Sequence, residues 1–233
     1  MKTLRRMVYS ATVLLGRLKQ NQRIALPADR SPIKVNLGCG LAVAPGWINI
    51  DGSLNALVAT LPSFLHRFAY RASGARDYYS EADYCRLLSE HRFVHHDLAR
   101  GLPLGDSAVD FVYSSHFLEH LFRQDAAHVL QEIYRVLKPG GRVRISVPDL
   151  EYAISLYAKG EKEKMLSDYF FVETKDNYYA RHKYMYDYES ISDALREPGF
   201  RDIRRCDFRE GLVPDIEILD KYPLESLFVE AVR

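Results

Sequence analysis

The feature that most constrains this chain is Ile33-Lys34-Val35-Asn36-Leu37 running directly into Gly38-Cys39-Gly40. A short, apolar, β-rich run that stops at glycine reads as a buried strand ending in a sharp turn. Glycines at a strand end let the backbone bend tightly and approach a ligand with no Cβ in the way. The rest of the chain repeats the theme. WINI (47–50), RFVHHDL (92–98), DFVYSS (110–115) and RVRISVP (142–148) read as further strands. Residues 54–90 are mostly helical, with a break near Ser73-Gly74. Residues 124–137 carry an amphipathic stripe through Ala127, Leu130, Ile133, Tyr134 and Leu137, which Lys138-Pro139-Gly140-Gly141 ends. Strands alternating with helices predict an α/β fold: a mostly parallel sheet with helices on both faces. The last two strands, 200–208 and 226–232, have no evident helix between them, so the final one is expected to run antiparallel.

Two nucleotide fingerprints can be tested on the glycines. The dinucleotide pattern needs a third glycine or alanine three positions after Gly40, where Val43 stands, and an acidic residue further on, where residues 57–65 hold none. The phosphate-loop pattern fails because no Gly-Lys-Ser/Thr follows. A ligand with a ribose but without phosphates stays open, as does a glycine-rich turn that binds no ligand. Asp51, at the end of the second strand, offers two oxygens to two ribose hydroxyls.

Taken together, NLGCG, GWINID, HDL, LPLGDSAVDFVYSSHFLEHL and EIYRVLKPGGRVRISVPDLE resemble the class I S-adenosylmethionine-dependent methyltransferases, the type-11 branch in particular. The resemblance covers residues 33–158 and the GF…VEAV ending. It implies a Rossmann-like seven-stranded sheet with a reversed last strand, and S-adenosyl-L-methionine as cofactor. It further implies that Asn36, Leu37, Gly38, Cys39 and Gly40 surround the methionine part and that Asp51 holds the ribose. Asp97 and Leu98 would flank the adenine, and Ser114 to His116 would lie near the methyl group. Two departures stand out. Asn36 replaces the acidic residue usual before the glycines. Gly40 is also too close to Ile48 for a full crossover helix, since parallel strands need a connection of about a dozen residues.

Methyl transfer to a hydroxyl requires removal of a proton, and histidine titrates near neutrality. His116 and His120 are the candidate catalytic residues, with His182 more distant. Asp149, His182 and Tyr184 are candidate acceptor-binding residues. Tyr157, Tyr169, Tyr178, Tyr179, Tyr184, Tyr186 and Tyr188 form a tyrosine-rich stretch that either binds an amphipathic acceptor or packs against the sheet. Arg201, Arg204, Arg205 and Arg209 either meet an anionic group or lie on a solvated face. His116-Phe117-Leu118-Glu119-His120 also matches the inverted zinc-protease pattern H-x-x-E-H. A zinc site would need a third protein ligand, which the sequence does not point to, and no metal is assigned.

A net charge of +1 argues against nucleic acid as partner. Cys39, Cys85 and Cys206 are odd in number and form no CxxC, which fits a reducing, cytoplasmic setting. Residues 1–20 read as a basic amphipathic helix that docks either on the chain's own domain or peripherally on the inner face of a membrane. The expected organisation is an N-terminal helix and linker over 1–30 and one domain over 31–233, with helical cap or lid insertions at 54–90 and 150–197. Relatives of this branch often occur with glycan-building enzymes. The expected acceptor is therefore a small molecule or a saccharide hydroxyl. The alternative is a cofactor-binding regulatory or scaffold protein without catalysis. The oligomeric state is open.

Overall fold

The structure is a computed structural model that describes residues 22–27, 31–72, 74–170 and 181–233; the helix expected over 1–20, and Tyr178 and Tyr179, lie outside them. Seven strands form one sheet: β1 Lys34–Leu37, β2 Trp47–Asp51, β3 Arg92–His95, β4 Val109–Ser115, β5 Leu137–Pro148, β6 Arg201–Cys206 and β7 Ser226–Val232. Their order is β3-β2-β1-β4-β5-β7-β6. The first five pair in parallel, while β7 runs antiparallel between β5 and β6. The reversed strand has the cause expected of it. Between β6 and β7 the chain holds only a four-residue helix, too little to carry it back across the sheet.

Alternation along the strands divides the residues between two unlike faces. Val35, Leu37, Ile48, Ile50, Val112, Val143, Ile145, Val147, Leu227 and Val229 join one apolar cluster. This face is covered by two of the helices, which we number in chain order as α1 Leu54–Ala59, α2 His66–Ala72, α3 Glu81–Glu90, α4 Arg123–Val136, α5 Leu150–Ala158, α6 Lys162–Met165, α7 Tyr188–Arg196 and α8 Ile216–Leu219. Val129, Leu130 and Ile133 of α4, with Ile191 and Leu195 of α7, complete the cluster. Each such side chain contributes about 1.5–3 kcal/mol on burial, so most of the fold's stability lies here. The buried stripe of α4 is Ala126, Val129, Leu130, Ile133 and Val136, one residue off the stripe read from the sequence. One residue on a helix is a turn of about 100°, which leaves Ala127 and Tyr134 flanking the buried face. The helix gives way at Leu137, whose ψ of 144° is already extended, so β5 begins there and not at Arg142. Pro139 explains this, because it bars a helix and biases the residue before it to extended backbone.

The opposite face mixes apolar clusters with buried polar side chains such as Asn36, Asn49 and Arg144. Near β2 and β3 it is covered by α1, α2 and α3, where Ala56, Val58, Tyr84 and Leu88 pack with Phe93. Further along, no helix crosses between β1 and β2; residues 38–46 connect them as a loop. The space is filled from far away in the chain. Val213, Ile216 and Leu219 pack on Ala44, Trp47 and Tyr113. Lys34 Nζ and Trp47 Nε1 both donate to Asp215, at 2.6 and 2.7 Å.

Arg144 lies inside this layer, with its side chain fully buried. Its Nη2 is 2.6 Å from Asp220 Oδ2 and its Nη1 is 3.3 Å from Glu230 Oε1. It also donates to the Asp207 and Glu210 carbonyls. Tyr113 Oη donates to Asp220 Oδ1 at 3.1 Å, and burial beside that carboxylate holds the phenol well above its ordinary value. The network ties the 207–222 segment to β4, β5 and β7. Replacing Asp220 by alanine would leave Arg144 buried without its main counter-charge. Asp220→Ala is expected to lower the unfolding free energy by about 3–5 kcal/mol in chemical denaturation. A loss within the 1 kcal/mol or so typical of an exposed pair would show that the network does not hold this layer.

Candidate active site

The carboxyl ends of β1, β2, β3 and β4 meet at the glycine turn. Gly38 and Gly40 both have positive φ, 64° and 52°. Their roles differ. A Cβ on Gly38 would sit 2.3 Å from Phe117 Cγ, so this glycine makes room for an aromatic ring. A Cβ on Gly40 would meet nothing within 4 Å, so the open approach to the backbone is at Gly40. Asp51 Oδ2 accepts from the Gly40 N–H at 2.8 Å, and Oδ1 accepts from Ser53 N–H at 2.5 Å. One carboxylate thus holds the glycine turn to the tip of β2. Ser114 sits beside Leu37 in the β1–β4 register, and its buried hydroxyl has no hydrogen-bond partner.

The segment after β4 makes a second centre beside the first. His116 turns with a φ of 49°, in the left-handed region, and this sends Phe117 onto Gly38 and Glu119 inward. Glu119 is 1% exposed, and among the described residues neither of its oxygens has a hydrogen-bond partner. Three histidines surround it. His116 Nδ1 is 3.4 Å and His120 Nε2 is 3.8 Å from Glu119 Oε1. The His182 ring lies 5.2 Å from that of His120. Burial holds His182 below the ordinary imidazole value, which favours its neutral form. On the other side, His116 Nε2 is 2.8 Å from Ser226 Oγ. Ser226 opens onto a cleft of about 390 Å³, lined also by Asp149, Glu151, Tyr152, Arg205 and Phe208.

A family model described as a methyltransferase domain matches residues 36–145. Over these residues the chain is similar to a methyltransferase domain. A protein of Mycolicibacterium smegmatis, described as a probable S-adenosylmethionine-dependent methyltransferase, is 38% identical over 74 residues. That match spans 30% of this chain and 28% of the relative. A solved methyltransferase of Archaeoglobus fulgidus, described as S-adenosylmethionine-dependent, shares the fold at a TM-score of 0.50 and 16% identity, covering 97% of this chain and 94% of its own. A Bordetella parapertussis protein described as possibly exported does so at 0.50 and 15% identity, covering 96% of this chain and 67% of its own.

The cofactor of such a methyltransferase is S-adenosyl-L-methionine, and the residues at the strand tips fit it. The backbone at Gly40 is open to a ligand, with nothing within 4 Å of where a Cβ would stand. Asp51 keeps spare lone pairs on both oxygens, and the buried Ser114 hydroxyl lacks a partner. The structure limits how several of the expected residues could meet a cofactor. Asn36 spends both amide hydrogens inside the protein, on the Ala42 carbonyl at 2.8 Å and on Asn49 Oδ1 at 3.2 Å, so it braces the loop. The Leu37 and Leu98 side chains are in the apolar core, and Cys39 packs with Ala56 and Phe93. These three can offer a cofactor only backbone. Asp97 is paired with Arg100 Nε at 2.9 Å and caps the turn that follows, so an adenine amine would have to share its carboxylate.

The acceptor candidates are placed as follows. His182 joins His116 and His120 around Glu119. Asp149 Oδ1 caps α5 through Glu151 N–H, and Oδ2 pairs with Arg205 at 2.7 Å on the cleft wall. Tyr184 packs between Tyr186 and the guanidinium of Arg123, so its ring is largely structural. Tyr169 and Tyr186 are buried as well. Ser226 and Phe117 were not expected; neither carries a sequence signal beyond the HFLEH pattern for Phe117. As a test of the cofactor end, Asp51→Ala is expected to weaken S-adenosylmethionine binding in calorimetry by roughly tenfold or more, with the far-ultraviolet spectrum retained. Unchanged affinity would remove Asp51 from the ribose.

Proposed function

We propose that the chain transfers the methyl group of S-adenosylmethionine to a hydroxyl oxygen of a small-molecule or saccharide acceptor. The observation that supports this reading is His116, set between buried Glu119 and Ser226 at the edge of the polar cleft. Bound S-adenosylmethionine supplies a methyl that is already electrophilic on a positively charged sulfur. What is left to the chain is to align the acceptor, exclude water and take the hydroxyl proton. Glu119 stands on the Nδ1 side of His116 and orients the ring. His116 Nε2 faces the cleft through Ser226 Oγ and receives the proton there. Phe117 covers Gly38 and shields the turn from solvent.

The charges of the cleft favour a neutral, hydroxyl-rich acceptor over an anionic one. Arg205 is neutralised by Asp149 and Glu151, at 2.7 and 2.8 Å, and Arg204 by Glu230 at 2.7 Å. These two arginines are therefore committed to carboxylates and do not form a phosphate site. The paired groups and Tyr152 still offer donors and acceptors to hydroxyls, in a cleft of the size usual for small-molecule sites.

The test is transfer of a labelled methyl group to a panel of hydroxyl-bearing sugars and small molecules. His116→Gln is expected to reduce kcat by about 10²–10⁴-fold while S-adenosylmethionine affinity stays the same. Wild-type protein that binds S-adenosylmethionine but methylates no member of the panel would favour a cofactor-binding scaffold. A His116→Gln enzyme as fast as wild type would remove His116 as the base.

A further inference from the structure

The geometry points to a divalent transition-metal site, zinc in the first instance, formed by Glu119, His120 and His182. One potential ligand atom from each of the three lies within 4.8 Å of the other two. Ligands on a common zinc ion, at about 2.0–2.2 Å from it, stand roughly 3–3.5 Å apart, so closing the set needs side-chain shifts of about an ångström. Two imidazoles with one carboxylate suit zinc and its divalent neighbours, where magnesium or calcium would take oxygens alone.

The stronger argument is the state of the groups without a cation. Glu119 is 1% exposed, and among the described residues both of its oxygens lack a hydrogen-bond donor. A buried carboxylate without donors is costly and calls for a positive partner. His116 Nδ1 faces Oε1 at 3.4 Å without closing a hydrogen bond, and His120 and His182 cannot supply that charge as neutral rings. His120 Nδ1 is 3.3 Å from the Arg181 carbonyl, and His182 Nδ1 is 2.6 Å from the Tyr169 carbonyl. A carbonyl only accepts, so each Nδ1 carries the hydrogen and each Nε2 keeps its lone pair. Such backbone anchoring of the far nitrogen is how metal-binding histidines are commonly oriented. A neutral His120 would therefore turn the Nε2 lone pair toward Glu119 Oε1, 3.8 Å away. Two described cations beside the cluster make other contacts. Arg123 stacks 5.0 Å above the Tyr184 ring, and Lys183 donates to the His120 carbonyl. A metal ion among the three groups removes the conflict. His120 and His182 are partly exposed, which leaves coordination positions open to water or a ligand oxygen. The sequence pattern H-x-x-E-H lacked a third ligand; the fold supplies it as His182, sixty-two positions beyond His120 in the chain.

The inference does not depend on the identity of the acceptor, and the test uses neither acceptor nor S-adenosylmethionine. Untagged full-length protein, stripped with chelator, is titrated with zinc and followed by calorimetry and elemental analysis. The expected result is close to one zinc per chain, with His182→Ala weakening the affinity at least tenfold to a hundredfold. His128→Ala, which removes an exposed histidine on α4, is expected to bind as wild type does. Glu119→Gln serves as a further variant if it folds. Zinc bound equally well by His182→Ala, or no stoichiometric zinc on the wild type, would overturn the site. So would nitrogen NMR of metal-free and zinc-treated protein showing His120 doubly protonated throughout, which would make the cluster an imidazolium–carboxylate pair. Loss of methyl transfer with zinc binding intact would count against the proposed reaction alone.

Discussion

One carboxylate organises the strand tips. Asp51 grips the Gly40 N–H with one oxygen and the Ser53 N–H with the other. The first contact fixes the glycine turn after β1, and the second sets the start of α1, which Ser53 caps. This matters more here than in a sheet with a full crossover, because no helix follows the glycines to pin them. The loop is instead held by side chains: Asn36 reaches the Ala42 carbonyl, and Asp215 collects Lys34 and Trp47. The missing helix also explains the buried polar side chains of the second face. A long-range segment replaces it, and that segment is attached by the buried Arg144 network where α4 and α7 use apolar packing on the first face.

Much of this architecture was legible in the residues. Val35, Leu37, Ile48 and Ile50 alternate as buried strands must, and Pro139-Gly140-Gly141 stops α4. The order of apolar runs and the absence of a helix before β7 were enough to expect the reversed strand. What escaped is long-range. Nothing within RVRISVP marks Arg144 as buried, and only the approach of Asp220, seventy-six positions later, makes its burial tolerable. The same holds for Asn36, whose partner Asn49 lies on the neighbouring strand. A motif marks Leu37 as a position, whereas the strand's alternation decides which way its side chain points.

The HFLEH turn shows both limits. Its spacing was visible, and its position after β4 placed it near the glycine turn. Whether its histidines serve as bases or ligands depends on two features hidden from the sequence: the burial of Glu119, and the return of the chain that brings His182 alongside His120. The left-handed turn at His116 couples the two centres, since it seats Phe117 on Gly38 while it drives Glu119 inward.

The central claim is that S-adenosylmethionine lies at the carboxyl tips of β1, β2 and β4, against Gly40 and Asp51. A crystal structure of the chain with S-adenosylhomocysteine tests it most directly. The account predicts the ribose hydroxyls on Asp51 and the amino-acid end along the Gly38–Gly40 backbone. A nucleoside bound elsewhere, with the glycine turn and Asp51 left as they stand now, would contradict it.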